Sequence, residues 1–331
     1  MLIFNSTATV KEFAFVGLTE SPALQNTLFV IFLAVYVSTL VGNLGMIALI
    51  KASPRLDTPM YSFLSNLSFL DVCCSSTIAP KTLANLLEDK KSISLIGCAM
   101  QMYFHIGMGS TECFLLAAMA YDRYVAVCKP LLYPVLMSPA ACMLLVVGSY
   151  ALGLLHSLVH MAFTFRLSFS ECRLIDNIFC DITALLSISS SDIYTNELLI
   201  FFLAGLVEIV TVLSVVVSYT CILTNIVMRI SSVRGRLKAF STCTSHLTVV
   251  SIFHGSILIL HFRRRSAQGS AAQDVSEKIL TVFYTIVNPL LNPLVYSLRN
   301  KEVKDALRVI RGKVCGKMIK TIRAARLDQL H

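Results

Sequence analysis

The sequence predicts an all-α membrane protein that crosses the bilayer seven times, and its composition and apolar spacing support this prediction. Of its 331 residues, 56% are hydrophobic and 14% are charged, whereas soluble domains carry about 25% charged residues. The apolar residues lie in blocks close to the roughly 20 residues that a helix needs to cross a bilayer. The blocks cover residues 25–50, 58–80, 97–121, 139–163, 197–228, 238–262 and 276–297.

These blocks divide the chain into an N-terminal segment over 1–24, a seven-span domain over 25–297 and a basic tail over 298–331. Met1 is not followed by a basic stretch and a short apolar core, so we expect no cleaved signal peptide. The tail holds the densest run of Lys and Arg in a chain of net charge +9. Such a run is typical of attraction to anionic lipid on the cytoplasmic face and does not indicate a nucleic-acid partner.

The tail also predicts the orientation, with the C-terminus in the cytoplasm and the N-terminus outside the plasma membrane. Arg263 to Arg265 would then lie on the outer side, so the bias in basic residues depends on the tail. The sequon Asn5-Ser6-Thr7 agrees with this orientation and predicts glycosylation of Asn5. Residues 301–311 predict a short amphipathic helix on the inner leaflet, followed by Cys315, which is either palmitoylated or an ordinary free thiol.

Cysteine placement predicts one disulfide on the outer side. The chain has eleven cysteines, and most lie within apolar blocks, where a buried thiol packs as a small hydrophobe. Cys98 begins the third block, while Cys172 and Cys180 lie in the long segment 166–196. All three would face the oxidising side of the membrane, so one bridge is expected among them.

Polar motifs follow one another in order along the spans. They are Gly42-Asn43, PMYSFLSNLSFLD over 59–71, MAYDRYVAVCKP over 119–130, Ser218-Tyr219, KAFSTCTSHL over 238–247 and PLLNPLVYSLRN over 289–300. With this set the chain resembles the olfactory (odorant) receptors, a branch of the rhodopsin-like G-protein-coupled receptors. The resemblance runs from about Phe13 to Leu307.

The resemblance implies a seven-helix bundle that binds small volatile odorants in its outer half and a G protein in a cytoplasmic cleft. It implies coupling to the olfactory stimulatory G protein, which raises cyclic AMP, and no cofactor apart from a structural sodium ion. An enzyme is not indicated, because neither Gly-x-Ser-x-Gly nor His-Glu-x-x-His occurs. A transporter is not indicated either, because the two halves show no repeat.

Asp122-Arg123-Tyr124 lies about ten residues beyond Glu112, near three helical turns, and so at the cytoplasmic mouth. The resemblance implies that Arg123 pairs with Asp122 in the idle receptor and turns toward the G protein on release. It gives Tyr219 and Tyr296 as neighbours of Arg123 in the active state. Taken alone, Arg123 also fits an arginine that reaches lipid headgroups.

Asp71 and Glu112 are carboxylates deep within predicted spans, where a charge costs about 2.5–3.5 kcal/mol on insertion scales. The resemblance implies a polar cluster of these residues with Asn292 and Asn43 around a sodium ion, a cation that prefers oxygen ligands. The alternative is a proton shared between two close carboxylates.

The resemblance places the odorant pocket among side chains that face the bundle in its outer half. Helical spacing along the third span gives one set of candidates, and the fifth, sixth and seventh spans give the others. The candidates are Met102, His105, Ile106, Gly109, Ser110, Leu203, Val207, His254, Ile257, Leu258, His261, Val282 and Thr285.

Two departures from the family pattern distinguish this chain. His254 and His261 stand where the family usually has Tyr, so with His105 they predict a cavity that suits a ligand with a polar head. The resemblance further implies a Cys98–Cys180 bridge. The family's additional cysteine is replaced by Ser189 to Ser191, which leaves Cys172 unpaired or in competition with Cys180.

Overall fold

The chain forms a bundle of seven long helices in the computed structural model, which describes residues 11–19, 21–169, 174–229, 232–266 and 278–312. Each helix overlaps one of the seven apolar blocks, so the predicted fold class is confirmed. The helices are α1 (Pro22–Ala52), α2 (Pro59–Leu87), α3 (Leu95–Cys128), α4 (Pro139–Thr164), α5 (Tyr194–Met228), α6 (Val233–Ser266) and α7 (Lys278–Arg299).

The polarity of the helices depends on their position in the bundle. Among the described residues, α1, α4, α5, α6 and α7 are long and apolar enough to cross a membrane by length and composition. The helices α2 and α3 have 29 and 34 residues but carry buried carboxylates at Asp71 and Glu112. Because α3 packs against α2, α4, α5 and α6, its polar side chains face other helices rather than lipid.

Local signals in the sequence explain where several helices begin. Prolines occupy the first turn of α1, α2 and α4, where a missing N–H costs no hydrogen bond. The Ser94 hydroxyl accepts a hydrogen bond from Gly97 N (3.1 Å) at the start of α3. Ser138 caps α4 in the same way through Ala141 N (3.4 Å).

A three-stranded sheet covers one end of the bundle, called here the sheet end; the opposite end, which carries Asp122 and Arg123, is called the switch end. Strand β1 (Glu12–Phe15) pairs antiparallel with β2 (Ser92–Ser94) and parallel with β3 (Leu174–Ile175). Apolar patterning did not predict this sheet, because its strands have only two to four residues.

A disulfide fixes the segment between α4 and α5 over the sheet end. Cys98 and Cys180, the pair that the resemblance implied, are joined with a Cα–Cα distance of 5.4 Å, and both are fully buried. Cys172 lies outside the described residues. The serines that replace the family's further cysteine form hydrogen bonds instead: Ser190 N donates to Ser168 O (2.9 Å), and Ser168 N donates to Ser191 Oγ (2.9 Å).

Among the described residues, two helices contain a π-helical turn, at Ile200–Ala204 in α5 and at Phe283–Val287 in α7. A π turn adds one residue to the helix and so rotates the side chains beyond it by about 100° relative to a regular helix. Both turns lie at the sheet-end half of the bundle. They therefore influence which side chains of α5 and α7 face the interior there.

The amphipathic helix predicted after the last span is present over residues 301–312 and is called α8. Val303 and Ala306 are buried against the apolar core of the bundle at the switch end. The Tyr61 hydroxyl on α2 donates to Glu302 Oε2 at 2.6 Å. These contacts hold α8 against α2; Cys315 lies outside the described residues.

Candidate functional site

A cavity of about 150 Å³ lies between α3, α4, α5, α6 and α7 in the sheet-end half of the bundle. Asp181 and Ile182, just beyond the disulfide, cover it from the sheet end. Its walls are mostly apolar, with a few polar groups. The lining residues are His105, Ile106, Gly109, Ser110, Cys113, His156, His160, Asp181, Ile182, Ile200, Ala204, Val207, Glu208, Ile257, Leu260 and Tyr284.

Six of the residues predicted from the sequence line this cavity: His105, Ile106, Gly109, Ser110, Val207 and Ile257. Met102 does not line it, because its side chain is fully buried with Cys98 and Cys180 in the apolar cluster at the sheet end. Leu258 is 38% exposed on the outer face of the bundle.

The other predicted residues on α5 and α7 also lie outside the cavity lining. Leu203 is half-buried within the π turn of α5. Val282 packs against an apolar cluster that includes Phe32 and Ile286, and the Thr285 hydroxyl donates to Thr281 O (2.7 Å). The side chain of His261 lies outside the described part of the chain, so its predicted role stays a prediction.

A pair of histidines on α4 forms the polar wall of the cavity, and neither was among the residues predicted from the sequence. His156 and His160 approach each other with their Nε2 atoms 3.2 Å apart, so one ring donates and the other accepts. The Ser110 hydroxyl lies 2.8 Å from His156 Nδ1. The sequence did contain a signal for this pair: two histidines stand four residues apart in an otherwise apolar span, and that spacing places both on one helix face.

Below the cavity, His254 faces a carboxylate rather than the cavity interior. Its Nδ1 lies 2.9 Å from Glu208 Oε1, and the Cys113 thiol lies 3.9 Å from Glu208 Oε2. The three-histidine arrangement predicted from the sequence is therefore not the one observed around His254. Glu208 was missed, although a carboxylate in the apolar fifth span carries the same insertion cost that drew attention to Asp71.

A second polar cluster lies at the centre of the bundle, where α2, α3 and α7 meet. Asn292 Nδ2 donates to both carboxylate oxygens of Asp71 (3.1 and 2.9 Å) and lies 3.4 Å from Glu112 Oε1. Two buried carboxylates thus share one amide donor, which leaves oxygen lone pairs that suit a hard cation or a shared proton.

No hydrogen bond joins Asn43 to these carboxylates among the described residues. Its Nδ2 instead donates to Pro289 O (2.9 Å) and to Thr39 O (3.0 Å). Pro293 lies four residues further along α7 and lacks an N–H, so it cannot bond the Pro289 carbonyl within the helix. Asn43 satisfies that carbonyl and so links α1 to α7.

At the switch end, Asp122 and Arg123 form a buried ion pair. Arg123 Nη2 and Nε lie 3.0 and 3.2 Å from Asp122 Oδ2, and Asp122 is fully buried. The Tyr133 hydroxyl, from the segment between α3 and α4, donates to Asp122 Oδ1 (2.8 Å). Burial and the Asp122 charge raise the pKa of Tyr133, so this hydroxyl stays protonated and remains a donor. Tyr133 was not among the sequence candidates.

The other predicted switch residues lie on several helices around this ion pair. The Tyr219 hydroxyl lies 2.7 Å from His246 Nδ1, which joins α5 to α6. The Tyr296 hydroxyl is buried and has no hydrogen-bond partner in the described part of the chain. Tyr124 faces Lys129, whose ammonium lies 5.6 Å from the ring centroid.

Comparisons with known proteins agree on one family. The family described as "Olfactory receptor" matches residues 32–313. The human protein named Olfactory receptor 5G3 is 50% identical over 90% of this chain and 94% of its own length. The mouse protein named Olfactory receptor 5T7 is 48% identical over 93% of this chain and 98% of its own. The crystal structure of squid rhodopsin shares the fold, with a TM-score of 0.68 at 16% identity over 89% of this chain and 87% of that one.

Proposed function

Because the chain belongs to the olfactory receptor family, we propose that it binds small volatile odorants in the cavity bounded by α3 to α7 and signals by raising cyclic AMP. The family and the shared fold make it a multi-pass membrane receptor for odorants rather than an enzyme. The location of the ligand and the type of G protein are the parts that we propose.

The proposed ligand site is supported by one observation, an apolar cavity whose polar groups converge from α3 and α4. Small-molecule sites are mostly apolar, with a few polar groups that fix orientation. Here those groups are His105, Ser110 and the His156–His160 pair. We therefore propose ligands with a small polar head, such as an acid, aldehyde, ketone or sulfur compound. The volume of about 150 Å³ favours short-chain members of these classes.

For signalling, we propose that the Asp122–Arg123 ion pair closes the switch end in the idle receptor. Its opening would free Arg123 to contact a G protein, which we take to be the olfactory stimulatory type. Membership of the family supports this role, and the pairing of Arg123 with the buried Asp122 is consistent with the proposed idle state. Tyr219 and Tyr296 lie on helices that would move relative to α3.

For the central cluster, we propose that a sodium ion is held by oxygens of Asp71, Glu112 and Asn292. A bound cation would supply positive charge between two buried carboxylates, which otherwise need a shared proton. The two alternatives predict different behaviour. A sodium site makes the purified receptor more heat-stable in NaCl than in choline chloride at equal ionic strength, whereas a shared proton gives no such difference.

We further propose that the N-terminus is extracellular, with glycosylation at Asn5, and that the receptor resides in the plasma membrane. Residue Asn5 lies outside the described residues. An epitope tag placed at the N-terminus tests the orientation, because antibody added to intact cells labels it only if it is outside. Labelling that requires permeabilised cells contradicts the proposal.

The function is tested by odorant responses in cells that carry olfactory trafficking factors and a cyclic AMP reporter. We expect a subset of polar-headed odorants to raise cyclic AMP, and His160→Phe to change the ranking of those odorants. Leu258→Val serves as the control because Leu258 faces outward. Unchanged ranking in His160→Phe would contradict the proposed ligand site, while a calcium signal without cyclic AMP would contradict the proposed coupling.

A further inference from the structure

Three side chains with metal-binding atoms meet beneath the odorant cavity, and each comes from a different helix. They are Cys113 on α3, Glu208 on α5 and His254 on α6, called here the Cys113 cluster. One potential ligand atom from each lies within 4.8 Å of the other two, and all three side chains are buried. Cys113 and Glu208 also line the cavity, so the cluster adjoins a space that a small molecule can enter.

The residue types and distances match a zinc site with one open position. Zinc binds thiolate, imidazole and carboxylate at about 2.0–2.3 Å, so tetrahedral ligand atoms lie about 3.3–3.8 Å from one another. His254 Nδ1 lies 2.9 Å from Glu208 Oε1, Cys113 Sγ lies 3.9 Å from Glu208 Oε2, and one ligand atom from each residue lies within 4.8 Å of the other two. Shifts on the order of 1 Å would bring one ligand atom from each residue into coordination.

Hydrogen bonding within the cluster leaves it incompletely satisfied. The Cys113 thiol is 3.9 Å from its acceptor, a long contact for a weak donor. The Nε2 atom of His254, the ring nitrogen that does not face Glu208, is also buried and has no hydrogen-bond partner among the described residues. Among the described residues, no lysine or arginine forms a salt bridge or hydrogen bond with Glu208. Burial of a carboxylate without a cation is costly.

We propose that Cys113, Glu208 and His254 form a binding site for Zn²⁺, with the fourth coordination position directed toward the cavity. On binding, the Cys113 thiol loses its proton to water as the Zn–S bond forms, and the hydrogen bond between His254 and Glu208 is replaced by two bonds to the metal. The site differs from the central cluster around Asp71, which offers oxygen ligands to a hard cation.

A metal at this position joins α3, α5 and α6 and therefore restrains α6 relative to the other two helices. The structure that presents the three ligands together is the one in which Asp122 pairs with Arg123. A ligand stabilises the state to which it binds more tightly. Zinc therefore favours the closed switch end and reduces the response to odorant, a consequence that rests on the proposed signalling function.

Zinc binding is tested on the full-length receptor in lipid nanodiscs, purified through a tag without histidines and stripped with chelator. Competition against a fluorescent zinc indicator gives stoichiometry and affinity. We expect one zinc per receptor, and about tenfold or greater weakening in Cys113→Ala, Glu208→Gln and His254→Tyr. Cys243→Ala is the matched control, because Cys243 is a buried thiol on α6 outside the cluster.

Each variant is compared with the wild type without zinc for monodispersity and thermal midpoint, so that misfolding is not mistaken for a lost ligand. His254→Tyr keeps the assay decisive if another variant fails to fold, because the family usually carries Tyr at that position. No binding by the folded wild type, or wild-type affinity in folded His254→Tyr, overturns the proposal.

The signalling consequence is tested separately in cells that respond to an identified odorant. We expect added ZnCl₂ to lower the maximal cyclic AMP response of the wild type and of Cys243→Ala, but not that of His254→Tyr. Zinc binding without any change in response overturns the proposed restraint on α6 and leaves the site itself intact. Because zinc binding is measured without odorant or G protein, its outcome is independent of the proposed odorant function.

Discussion

Substitution of Gly153 by alanine tests the contact between α3 and α4 that forms the polar wall of the cavity. A Cβ atom added at Gly153 would clash with the Thr111 side chain and would lie 2.7 Å from Thr111 N and 2.8 Å from Gly107 O. The last two atoms belong to the α3 backbone and cannot move aside by a side-chain rotation. Small residues permit such close approach of membrane helices.

The size of the effect follows from these distances. Favourable carbon contacts lie at about 3.5–4.0 Å, so the two helices must separate by about 0.7 Å at this point. The same displacement would stretch the contact between Ser110 Oγ and His156 Nδ1, now 2.8 Å, to the limit of a hydrogen bond. Overpacking costs about 1–3 kcal/mol, and the lost bond about 0.5–1.5 kcal/mol. Alanine in a helix recovers about 0.5–1 kcal/mol relative to glycine, so these contributions sum to a net destabilisation of about 0.5–4 kcal/mol.

Gly148→Ala is the matched control for Gly153→Ala on the same helix. A Cβ atom at Gly148 meets no atom within 4 Å, so only the gain in helix propensity remains. Heating of detergent-purified receptor, followed by size-exclusion chromatography, gives the midpoint for loss of the monodisperse fraction. We expect a lower midpoint for Gly153→Ala and an equal or higher midpoint for Gly148→Ala. A Gly153→Ala midpoint at or above that of Gly148→Ala would refute the close-contact reasoning.

Three further predictions concern the switch, the disulfide and the ligand site. Tyr133→Phe removes a hydrogen bond to the buried carboxylate of Asp122. Such a bond is worth about 1.5–3 kcal/mol when fully buried and less for a half-exposed tyrosine. Because Asp122 is then held less firmly, we expect a higher cyclic AMP signal without odorant, measured per receptor at the cell surface. Cys180→Ser removes the bridge to Cys98, and loss of a native disulfide typically costs about 2–5 kcal/mol of folding stability. We therefore expect lower surface expression, measured by flow cytometry. His156→Phe keeps an aromatic side chain but removes both ring nitrogens, including the one bonded to Ser110. We expect the half-maximal concentration of polar-headed odorants to rise by up to about tenfold, while that of apolar odorants is unaffected.

Each of these predictions has a control variant or an internal comparison. Tyr121→Phe matches Tyr133→Phe because the Tyr121 side chain has only a ring contact among the described residues, so equal basal signals in the two would contradict the first prediction. Cys142→Ser removes a buried free thiol, and a loss of expression as large as that of Cys180→Ser would show that the bridge is not the cause. An equal loss for polar and apolar odorants in His156→Phe would indicate general damage to the fold rather than a lost polar contact.

Local patterns in the amino-acid sequence were enough to predict the number of spans, the family and the depth of the polar residues. Hydropathy is a property of neighbouring residues, so the seven apolar blocks identify the helices without knowledge of their packing. Asp71 and Glu112 stood out because a carboxylate in an apolar span is costly wherever the helix is placed. Asp122 and Arg123 are adjacent in the chain, and their ion pair needs no long-range arrangement.

Which polar side chains meet depends on how the helices pack, and the sequence did not reveal this. His254 was expected beside His105, but its ring lies against Glu208, while His156 and His160 from α4 provide the polar wall of the cavity. The direction of a side chain depends on the rotation of its helix about its own axis. In α5 the π turn at Ile200–Ala204 changes that rotation by about 100°, which periodic spacing does not reveal.

The same limit applies to contacts between distant segments. Tyr133 reaches Asp122 because a short loop folds back under α3. Strand β1 pairs with β3, although Phe15 and its partner Ile175 are far apart in the chain. Such pairings are set by packing and hydrogen bonding between elements, and not by the pattern within any one of them. The chain thus encodes a receptor bundle in its local patterns, whereas the chemistry of its cavity depends on how seven helices are rotated and packed.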